Sequence, residues 1–589
     1  MAKPNRARAP SSRVRFLVPK ITGADVELGN FVTGRGGAPP EGASASSTTG
    51  AGSGREASRA LLAEIEGLPK RAAPLASSWP AASDRRYGGW YGSTYGSGYG
   101  AGYGSAYGAY GREDPQDIGR QYLASNGGCA YIDLDHLELC IPEVRCARDH
   151  VAALHAMFRI ARRAQENANA KRGGDEPIQV LANNSDGQGQ SYGGHLNVLV
   201  SRQAWENLFH RKLHYALFLA SFQASAIVLT GQGKVGSEND APAVPFQISQ
   251  RADFIETLSG PQTTYHRPIV NTRDEALCGE RDRWRDDSRG QDHRFARLHV
   301  ISFDTTLNHV SMLLRVGLMQ LVSALIEAEA VRVERILEDP VEAFRSWSHD
   351  PDLGVRARLV SGGAVTAVEL QLQFLEDVGR FVERCDVIEE IVPGAREIVQ
   401  IWSETLDKLG RRDFDALRSE LDWVQKRALL DEVVSSEPRL GWDSPAIKHL
   451  DLVYASLDPE GGIFWALDRA GLSRRLVSDD EIDRFVREPP PDTRAWTRAM
   501  LLRRAGERVT EVDWDRVHVR GGGSNGRSRE RVVRLDRPAQ RGEARTGAAF
   551  AANESLSALL DALHAEDVPD RGWGNSLLPV HGTSRTYGR

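Results

Sequence analysis

A stretch rich in Gly, Ala, Ser and Pro, from about residue 34 to residue 111, decides where this 589-residue chain can build a core. Within it tyrosines recur every four residues, each beside a glycine: Tyr91, Tyr95, Tyr99, Tyr103 and Tyr107. The period resembles that of a helix, but this glycine content makes a helix too costly in backbone entropy. We therefore predict a disordered loop over 31–119, interrupted by a short helix near 55–67.

The segments on either side of this stretch predict an α+β domain built on an antiparallel sheet. Alternating and β-branched residues predict strands at these places: 14–29, 131–139, 178–182, 195–200, 246–258 and 297–303. Apolar residues at helical spacing predict helices over these ranges: 147–171, 203–230, 309–337, 365–390, 394–408, 413–431 and 446–457. After a strand-like unit at 505–520, an Arg- and Gly-rich segment at 520–548 predicts a linker.

Charge and cysteine content narrow the function classes. The chain has 74 Lys and Arg residues against 80 Asp and Glu residues, and this net charge of −6 argues against a basic nucleic-acid scaffold. Its five cysteines lack C-x-x-C or Cys/His finger spacing, so we expect no structural zinc site and a reducing cytoplasm. The longest apolar run, 213–229, falls short of the roughly 20 apolar residues that span a bilayer and predicts a buried helix. We expect neither a signal peptide nor a membrane segment.

Acidic side chains on predicted strands are candidate ligands for a hard cation. Asp25 and Glu27 are spaced by two, so they share one face of the first strand. The second strand and its continuation carry four more acids: Asp133, Asp135, Glu138 and Glu143. Carboxylates from neighbouring strands suit Mg²⁺, which takes oxygen ligands and then carries phosphates. The alternative is that alternating Asp and Glu mark a solvated strand face.

A glycine-rich turn over 186–194 precedes His195 at a predicted strand start. Glycine lets the backbone approach a ligand closely, and histidine can ligate a metal or contact phosphate, although an ordinary hairpin loop has the same pattern. Arg273 and Arg297, with His299, offer cationic donors for phosphate oxygens; ion-paired surface arginines are the alternative. Together these segments fit a metal–nucleotide site laid across a curved sheet.

The order of longer segments carries more information than any single motif. The segments are GADVEL, NGGCAYIDLDHLELCIPE, NNSDGQGQSYGGHLN, FQISQRADFIE, PIVNTRDE and RLHVI, followed by DWVQKR, LDLVYASL, GGIF, PPPDTRA and VDW. In this order they resemble the proteasome accessory factor A family, over residues 14–29 and about 120–518. That family comprises the Pup ligase and the Pup deamidase/depupylase, which are relatives of glutamine synthetase.

The resemblance implies a glutamine-synthetase-like α+β fold: a curved antiparallel sheet cradle backed by helices, with a small C-terminal domain. We accordingly divide the chain into five parts. They are a disordered N-terminus (1–13), a catalytic domain (14–30 and 120–440), the low-complexity inserted loop (31–119), a small C-terminal domain (441–520) and a mostly disordered tail (521–589).

The resemblance also implies roles for particular residues. Asp133 matches the catalytic aspartate. Six residues are implied as metal ligands: Asp25, Glu27, Tyr131, Glu138, His195 and His299. Three residues are implied to contact the nucleotide: Arg273, Arg297 and Trp514. The cofactors implied are ATP and Mg²⁺.

Several positions depart from the family pattern. Asp25 replaces a Glu, and Cys129 stands where the family carries an ATP-contacting Arg. Other polar family residues are replaced at Ala182, Leu196 and Thr306. Such departures are compatible with an altered, weakened or lost activity.

Two features favour the deamidase/depupylase branch: the spacing from Asp133 to Pro142-Glu143, and the long insertion after the first strand. This implies an ATP- and Mg-dependent amidase of the Pup (prokaryotic ubiquitin-like protein) system. It would deamidate the modifier's C-terminal Gln or hydrolyse its isopeptide bond to a substrate lysine. The first alternative is the Pup–protein ligase, and the second is a modifier-binding pseudo-enzyme. The expected partners are the modifier and its lysine conjugates, without membrane or nucleic acid.

Overall fold

An eight-stranded antiparallel sheet positions the residues that the sequence singles out. The computed structural model describes residues 15–33, 53–69, 116–173, 176–275, 277–278, 295–437, 439–522, 528–565 and 578–580. The predicted disordered N-terminus (1–13) and most of the predicted low-complexity loop, including its five repeated tyrosines, lie outside the described residues.

The strands follow one another along the chain. They are β1 (Arg15–Leu17), β2 (Thr22–Val32), β3 (Leu68–Pro69), β4 (Ile118–Tyr122), β5 (Cys129–Asp133), β6 (His136–Cys140), β7 (Ile178–Leu181), β8 (Gly194–Ser201), β9 (Lys234–Val235), β10 (Phe246–Gln247), β11 (Ile255–Gly260), β12 (Arg267–Asn271), β13 (Phe295–Val300), β14 (Ala357–Arg358), β15 (Ala364–Val365), β16 (Val509–Asp513), β17 (Arg516–Gly522), β18 (Ser528–Arg534) and β19 (Leu578–Val580). The large sheet has the order β13-β8-β2-β6-β5-β4-β3, and β7 also pairs with β2.

Strand β2 divides its residues between two faces of the sheet. Val26 and Leu28 are fully buried in the main core, whereas Asp25 and Glu27 line an open cleft on the other face. This division follows from the two-residue period of a strand. The α+β fold with an antiparallel sheet is therefore confirmed.

The predicted strand over 131–139 is wrong, because the chain reverses in its middle. Strands β5 and β6 form a hairpin whose turn is Leu134-Asp135, with Leu134 at a φ of 53°. That turn lacks the glycine or asparagine that usually marks left-handed backbone. Ser58 Oγ and Asn30 Nδ2 donate hydrogen bonds of 2.7 and 3.3 Å to the Asp135 carbonyl, and these bonds hold the turn.

Helices cover the core face of the sheet and build the middle of the chain. They are α1 (Ser53–Ala63), α2 (Ala147–Arg172), α3 (Arg202–Glu206), α4 (His214–Thr230), α5 (His309–Glu327), α6 (Pro340–Ser348), α7 (Ala367–Arg384), α8 (Ile388–Ile391), α9 (Ala395–Gly410), α10 (Phe414–Leu417), α11 (Asp422–Ser436), α12 (Pro445–Tyr454), α13 (Ile463–Arg469), α14 (Asp479–Arg487), α15 (Arg494–Ala505), α16 (Glu543–Ala552) and α17 (Leu556–Ala565).

Two apolar helices form the centre of the main core. Helix α5 is long and apolar enough to cross a membrane, but its whole length is buried inside the protein. Helix α4 is buried along nearly all of its length, as the sequence predicted for the apolar run 213–229. The helix predicted over 203–230 is broken, since a π-helical turn at Asn207–Arg211 separates α3 from α4.

The helix predicted inside the loop insertion packs on the back of the sheet. Its residues Ala57 and Leu61 are fully buried in the main core. Replacing Leu61 by Ala is expected to lower the free energy of unfolding by about 2–4 kcal/mol, because truncation leaves a cavity. Urea unfolding measures this loss, and the exposed Arg59→Ala is the matched control. Equal stability of the two variants would show that this helix does not pack as described.

A second, smaller hydrophobic core joins the C-terminal part of the chain to the sheet. It contains Tyr122, Cys129, Tyr131 and Cys140 from the sheet, together with these C-terminal residues: Leu501, Leu502, Ala505, Val509, Val512, Val517, Val519, Val533, Leu535, Leu556, Leu559, Leu560 and Leu563. Strands β16–β18 form its three-stranded sheet. We call the described part of α15 to α17 the C-terminal unit.

The predicted linker at 520–548 and mostly disordered tail are wrong for residues 528–552, which form β18 and α16. The sequence also predicts one short helix near 552–565, and that helix is present as α17, with Leu559 and Leu563 fully buried. Strand β18 pairs with β17 along its whole length, so the Arg- and Gly-rich composition conceals a sheet strand.

Candidate active site

A large cleft lies on the open face of the sheet, with a cavity volume of about 2340 Å³. Its floor is formed by the sheet, and one wall by residues of the C-terminal unit. All ten residues implied as site residues line it: Asp25, Glu27, Tyr131, Asp133, Glu138, His195, Arg273, Arg297, His299 and Trp514. The structure therefore brings together residues that are far apart in the sequence.

Glu27, Asp133 and Glu138 form the first cluster of carboxylates. Glu27 is paired with Glu138 across β2 and β6, and one oxygen from each of the three acids lies within 4.8 Å of the others. Burial, and then the nearby charges of Asp133 and Asp25, raise the pKa of Glu138 well above its usual range. A bound divalent cation would relieve this repulsion, so the donor set fits a hard metal ion.

Tyr131 supports this first cluster from the neighbouring strand. It stands opposite Glu138 in the hairpin register, and its hydroxyl donates a hydrogen bond to the Glu138 carboxylate. Burial, followed by the charge of Glu138, raises the pKa of Tyr131 well above its usual range. The tyrosine is therefore a neutral donor that orients one of the carboxylates.

Asp25, His195 and His299 form a second cluster beside the first, with ligand atoms within 4.8 Å of one another. His195 Nδ1 lies 2.9 Å from Asp25 Oδ2. Burial alone would raise the pKa of Asp25, but the hydrogen bond and charge of His195 and the charge of Arg297 hold it well below its usual range. Burial and the neighbouring Arg297 lower the pKa of His299, which leaves the neutral imidazole that metals bind.

Asn197 links this second cluster to the arginines, and the sequence reasoning missed it. Its amide nitrogen donates 2.5 Å to Asp25 Oδ1, and its oxygen accepts 2.6 Å from Arg297 Nη1. The signal was present in the sequence, since residues 195 and 197 share one face of β8.

Arg273 and Arg297 lie at the β13 side of the cleft and share one carboxylate. Glu275 is 3.3 Å from Arg297 and 3.8 Å from Arg273. The guanidinium of Arg297 also donates to the Glu275 carbonyl at 2.8 Å. Both arginines are thus held in the cleft, where anionic groups of a ligand can reach them.

Trp514 lies on the opposite wall, in the C-terminal unit. Its ring packs edge-on against Tyr122 of β4, with centroids 5.8 Å apart. The Arg498 guanidinium lies 4.8 Å from the Trp514 ring centre. This aromatic surface is suited to stack against a planar base.

Two acids of the predicted strand do not belong to the metal clusters. Asp135 lies at the hairpin turn and pairs with Arg55 at 2.9 Å. Glu143 binds two buried arginines of the C-terminal unit that the sequence reasoning missed, Arg494 at 2.6 Å and Arg498 at 2.5 Å. We call these three residues the Glu143 ion-pair network. Burial opposes its charge, but Arg498 and Arg494 lower the pKa of Glu143 to about 2.

The glycine-rich turn lines the cleft, but its amides bind protein groups. Gly187 and Gly189 have φ values of 70° and 93°, which require glycine. Asp186 accepts hydrogen bonds from the amides of Gln188 and Gln190, and Glu238 accepts one from Gly189 at 2.8 Å. The turn is therefore built by acidic side chains and does not offer these amides to a phosphate.

Three of the departures from the family pattern lie away from the cleft. Ala182, Leu196 and Thr306 are fully buried, and none of them lines the cavity. Leu196 points to the core from the strand whose neighbouring residue, His195, faces the cleft. Cys129 is also fully buried and does not line the cavity, but its sulfur accepts a hydrogen bond from Arg120 of the adjacent strand, which does.

Comparisons with known proteins agree with this architecture. Residues 105–518 match the Pup-ligase protein family. The chain is 33% identical to the depupylase of Acidothermus cellulolyticus, over 68% of this chain and 76% of the relative. It is 34% identical to the Pup deamidase/depupylase of Mycobacterium tuberculosis (77% and 85%) and 34% identical to the Pup–protein ligase of Acidimicrobium ferrooxidans (67% and 82%).

Two solved structures have a similar fold. One, a crystal structure of Pup with its ligase PafA, is 22% identical, covers 97% of this chain and 98% of the other chain, and has a TM-score of 0.66. The other, the Pup ligase PafA in complex with ADP, is 27% identical, covers 77% and 91%, and has a TM-score of 0.62. The family match covers residues 105–518, and relatives of both branches are 33–34% identical to the chain. The chain therefore belongs to the Pup-ligase protein family.

Proposed function

We propose that this protein is an ATP- and Mg-dependent amidase of the Pup system. It deamidates the modifier's C-terminal Gln, or hydrolyses the isopeptide bond between the modifier and a substrate lysine. The observation that carries this proposal is the Glu27–Asp133–Glu138 cluster, in which Asp133 is the last residue of β5 before the tight β5–β6 turn. Relatives named depupylase and deamidase share 33–34% identity with the chain.

The size of the cleft supports a polypeptide substrate beside a nucleotide. Pockets for one small ligand commonly measure about 300–1,000 Å³, and this cleft measures about 2340 Å³. We propose that the base lies against Trp514 and that Arg273 and Arg297 bind anionic oxygens. The extended volume then accepts the C-terminal segment of the modifier.

The carboxylate cluster fits Mg²⁺ by its oxygen donors, and the second cluster adds one carboxylate and two imidazoles that can ligate a divalent cation. Glu27, Glu138 and Tyr131 on one side, and Asp25, His195 and His299 on the other, would hold the ions. Bound Mg²⁺ would supply positive charge that stabilises the oxyanion developing on the amide carbonyl.

Asp133 is the residue that we propose acts on the substrate. Its carboxylate either takes a proton from a water that attacks the amide carbon, or attacks that carbon directly. In the water route a carbon–oxygen bond forms, the carbon–nitrogen bond breaks, and the proton passes to the leaving nitrogen. In the direct route the Asp133 oxygen bonds to the carbon as the carbon–nitrogen bond breaks, water supplies the proton to the leaving nitrogen, and a water then hydrolyses the resulting anhydride and regenerates the carboxylate. Ammonia leaves in deamidation, and the lysine amine leaves in removal of the modifier.

The departures from the family pattern do not favour a pseudo-enzyme. A chain that has lost its chemistry would be expected to lose groups facing the cleft. Ala182, Leu196 and Thr306 instead lie in the core, and the carboxylates are present. All five cysteines are free, which suits our proposal that the enzyme works in the cytoplasm.

The Pup–protein ligase is the second candidate, because a solved structure with 27% identity is a Pup ligase and one relative with 34% identity is named Pup–protein ligase. In this candidate the nucleotide's terminal phosphoryl group passes to the modifier's carboxylate, and Asp133 takes a proton from the attacking lysine. The same cleft residues would serve both reactions.

Mass spectrometry of two parallel incubations tests the proposal. Purified protein with ATP and Mg²⁺ receives either a Pup–lysine conjugate or free Pup with a lysine-bearing target. We expect loss of the conjugate and conversion of a C-terminal Gln to Glu, and the matched control omits nucleotide. New conjugate with release of ADP would instead establish the ligase. Bound nucleotide without either product would contradict both enzyme candidates.

A further inference from the structure

Arg120 is a cleft residue that the family resemblance does not assign. It lies on β4, and its guanidinium carbon is 3.7 Å from the centre of the Tyr131 ring. Its Nε donates 2.5 Å to Asp117, and its Nη1 donates 3.4 Å to the sulfur of Cys129. The side chain is only 11% exposed, yet it lines the cavity. A buried arginine that faces a cleft provides a fixed positive charge for a ligand.

The strand order places Arg120 on the opposite side of the acidic clusters from Arg297. Strand β13, which carries Arg297, is at one edge of the order, and β4 follows β5 on the other side of β2 and β6. Arg494 and Arg498 of the C-terminal unit are bound by Glu143, and Arg55 pairs with Asp135. Arg120 pairs with Asp117 through Nε and lies on the β4 side of the cleft, where it is positioned to meet an anion.

Arg120 also lies on the path between the aromatic wall and the carboxylates. Tyr122, two residues further along β4, contacts Trp514, and Tyr131 beneath the guanidinium donates to Glu138. Arg120 is therefore adjacent both to the strand that contacts Trp514 and to the tyrosine that orients Glu138. None of the described residues accepts a hydrogen bond from Arg120 Nη2, so its N–H groups can donate to a ligand.

We propose that Arg120 binds a phosphate oxygen of the nucleotide. In this arrangement β4 supplies the positive charge, and the guanidinium lies beside the small side chain of Cys129. The contact between Arg120 and Cys129 means that an arginine on β5 would reach the same point from the neighbouring strand. The inference rests on the proposed nucleotide-dependent function, and it assigns to that function a phosphate-binding residue of this chain.

Calorimetric binding of ADP and of adenosine, both with Mg²⁺ present, tests the inference on the full chain. Loss of a charge-assisted hydrogen bond in Arg120→Gln is expected to weaken ADP binding about 10- to 100-fold. Adenosine has no phosphate, so its affinity is expected to change less than about twofold. Arg55→Gln is the matched control, since Arg55 also lines the cleft and pairs with an aspartate, and it is expected to bind ADP as the parent does.

A swap variant separates phosphate binding from a structural role. Exchanging the two residues, R120C with C129R, is expected to restore ADP affinity to within about threefold of the parent, because the charge returns to the same point. Equal weakening of ADP and adenosine by Arg120→Gln would overturn the inference, as would unchanged ADP binding or a folded swap variant without recovery. Absence of nucleotide binding in the parent protein would instead overturn the proposed function, and the inference with it.

Discussion

Asp133→Asn is expected to lower turnover at least about 100-fold, because an amide can neither take a proton from the attacking group nor attack a carbonyl. The isosteric change removes one negative charge from the Glu27–Asp133–Glu138 cluster but keeps its volume. Thermal unfolding is therefore expected to stay near that of the parent. Single-turnover cleavage of a Pup–lysine conjugate, followed by mass, measures the chemical step.

Asp135→Asn is the matched control for this variant. Asp135 lies in the same hairpin but pairs with Arg55 instead of contributing to the acidic cluster. Its activity is expected to stay within about threefold of the parent, since partly exposed ion pairs contribute little. A parallel Mg²⁺ titration of Asp133→Asn distinguishes a reacting carboxylate from a metal ligand. Turnover that survives in Asp133→Asn would remove Asp133 from its proposed role.

Glu143→Gln is expected to lower the free energy of unfolding by about 3–5 kcal/mol, since it leaves two buried arginines without their carboxylate. Arg494 and Arg498 are 3% and 0% exposed, and both bind Glu143. Urea unfolding monitored by tryptophan fluorescence measures the change. Glu511→Gln removes a longer, more exposed ion pair of the C-terminal unit and is expected to cost less than about 1 kcal/mol.

The same ion-pair network predicts the direction of a pH effect. The pKa of Glu143 in the folded protein is about 2, below the value of about 4.3 for an unperturbed glutamate. The ionised Glu143 therefore contributes its full stabilisation above the pKa of the unfolded state. That contribution is lost as the pH falls toward the pKa of the folded state. The difference in the free energy of unfolding between the parent and Glu143→Gln is therefore expected to become smaller at acidic pH. A gap that stays constant from neutral pH to pH about 3 would contradict this assignment.

More of the candidate site than of the surrounding fold could be predicted from the sequence. The two-residue period of a strand predicts that Asp25 and Glu27 share one face. The family resemblance of the longer segments identified their partners on distant strands. The β5–β6 hairpin could not be predicted, because Leu134 takes a left-handed conformation that its side chain disfavours. Contacts from Ser58 and Asn30, which are remote in sequence, hold that turn.

Strand β18 and helix α16 of the C-terminal unit were missed for a similar physical reason. Strand β18 lies in an Arg- and Gly-rich segment, and its regular structure depends on pairing with β17 and on burial of Val533. Asn197 shares the cleft face of β8 with His195, but its contacts with Asp25 and Arg297 form only in the folded chain. These features depend on tertiary contacts, which local sequence patterns do not report.

The burial of Leu196 directly behind His195 bears on how enzymes of this kind diverge. On a strand with one face in a core and the other in a cleft, alternate residues are under different selection: one set for volume, the other for chemistry. Exchange of an acid for leucine at a core position can then accumulate as neutral drift wherever the packing adjusts. The number of substitutions between two relatives is therefore a poor measure of the difference between their reactions, and the face on which each substitution falls is the better one.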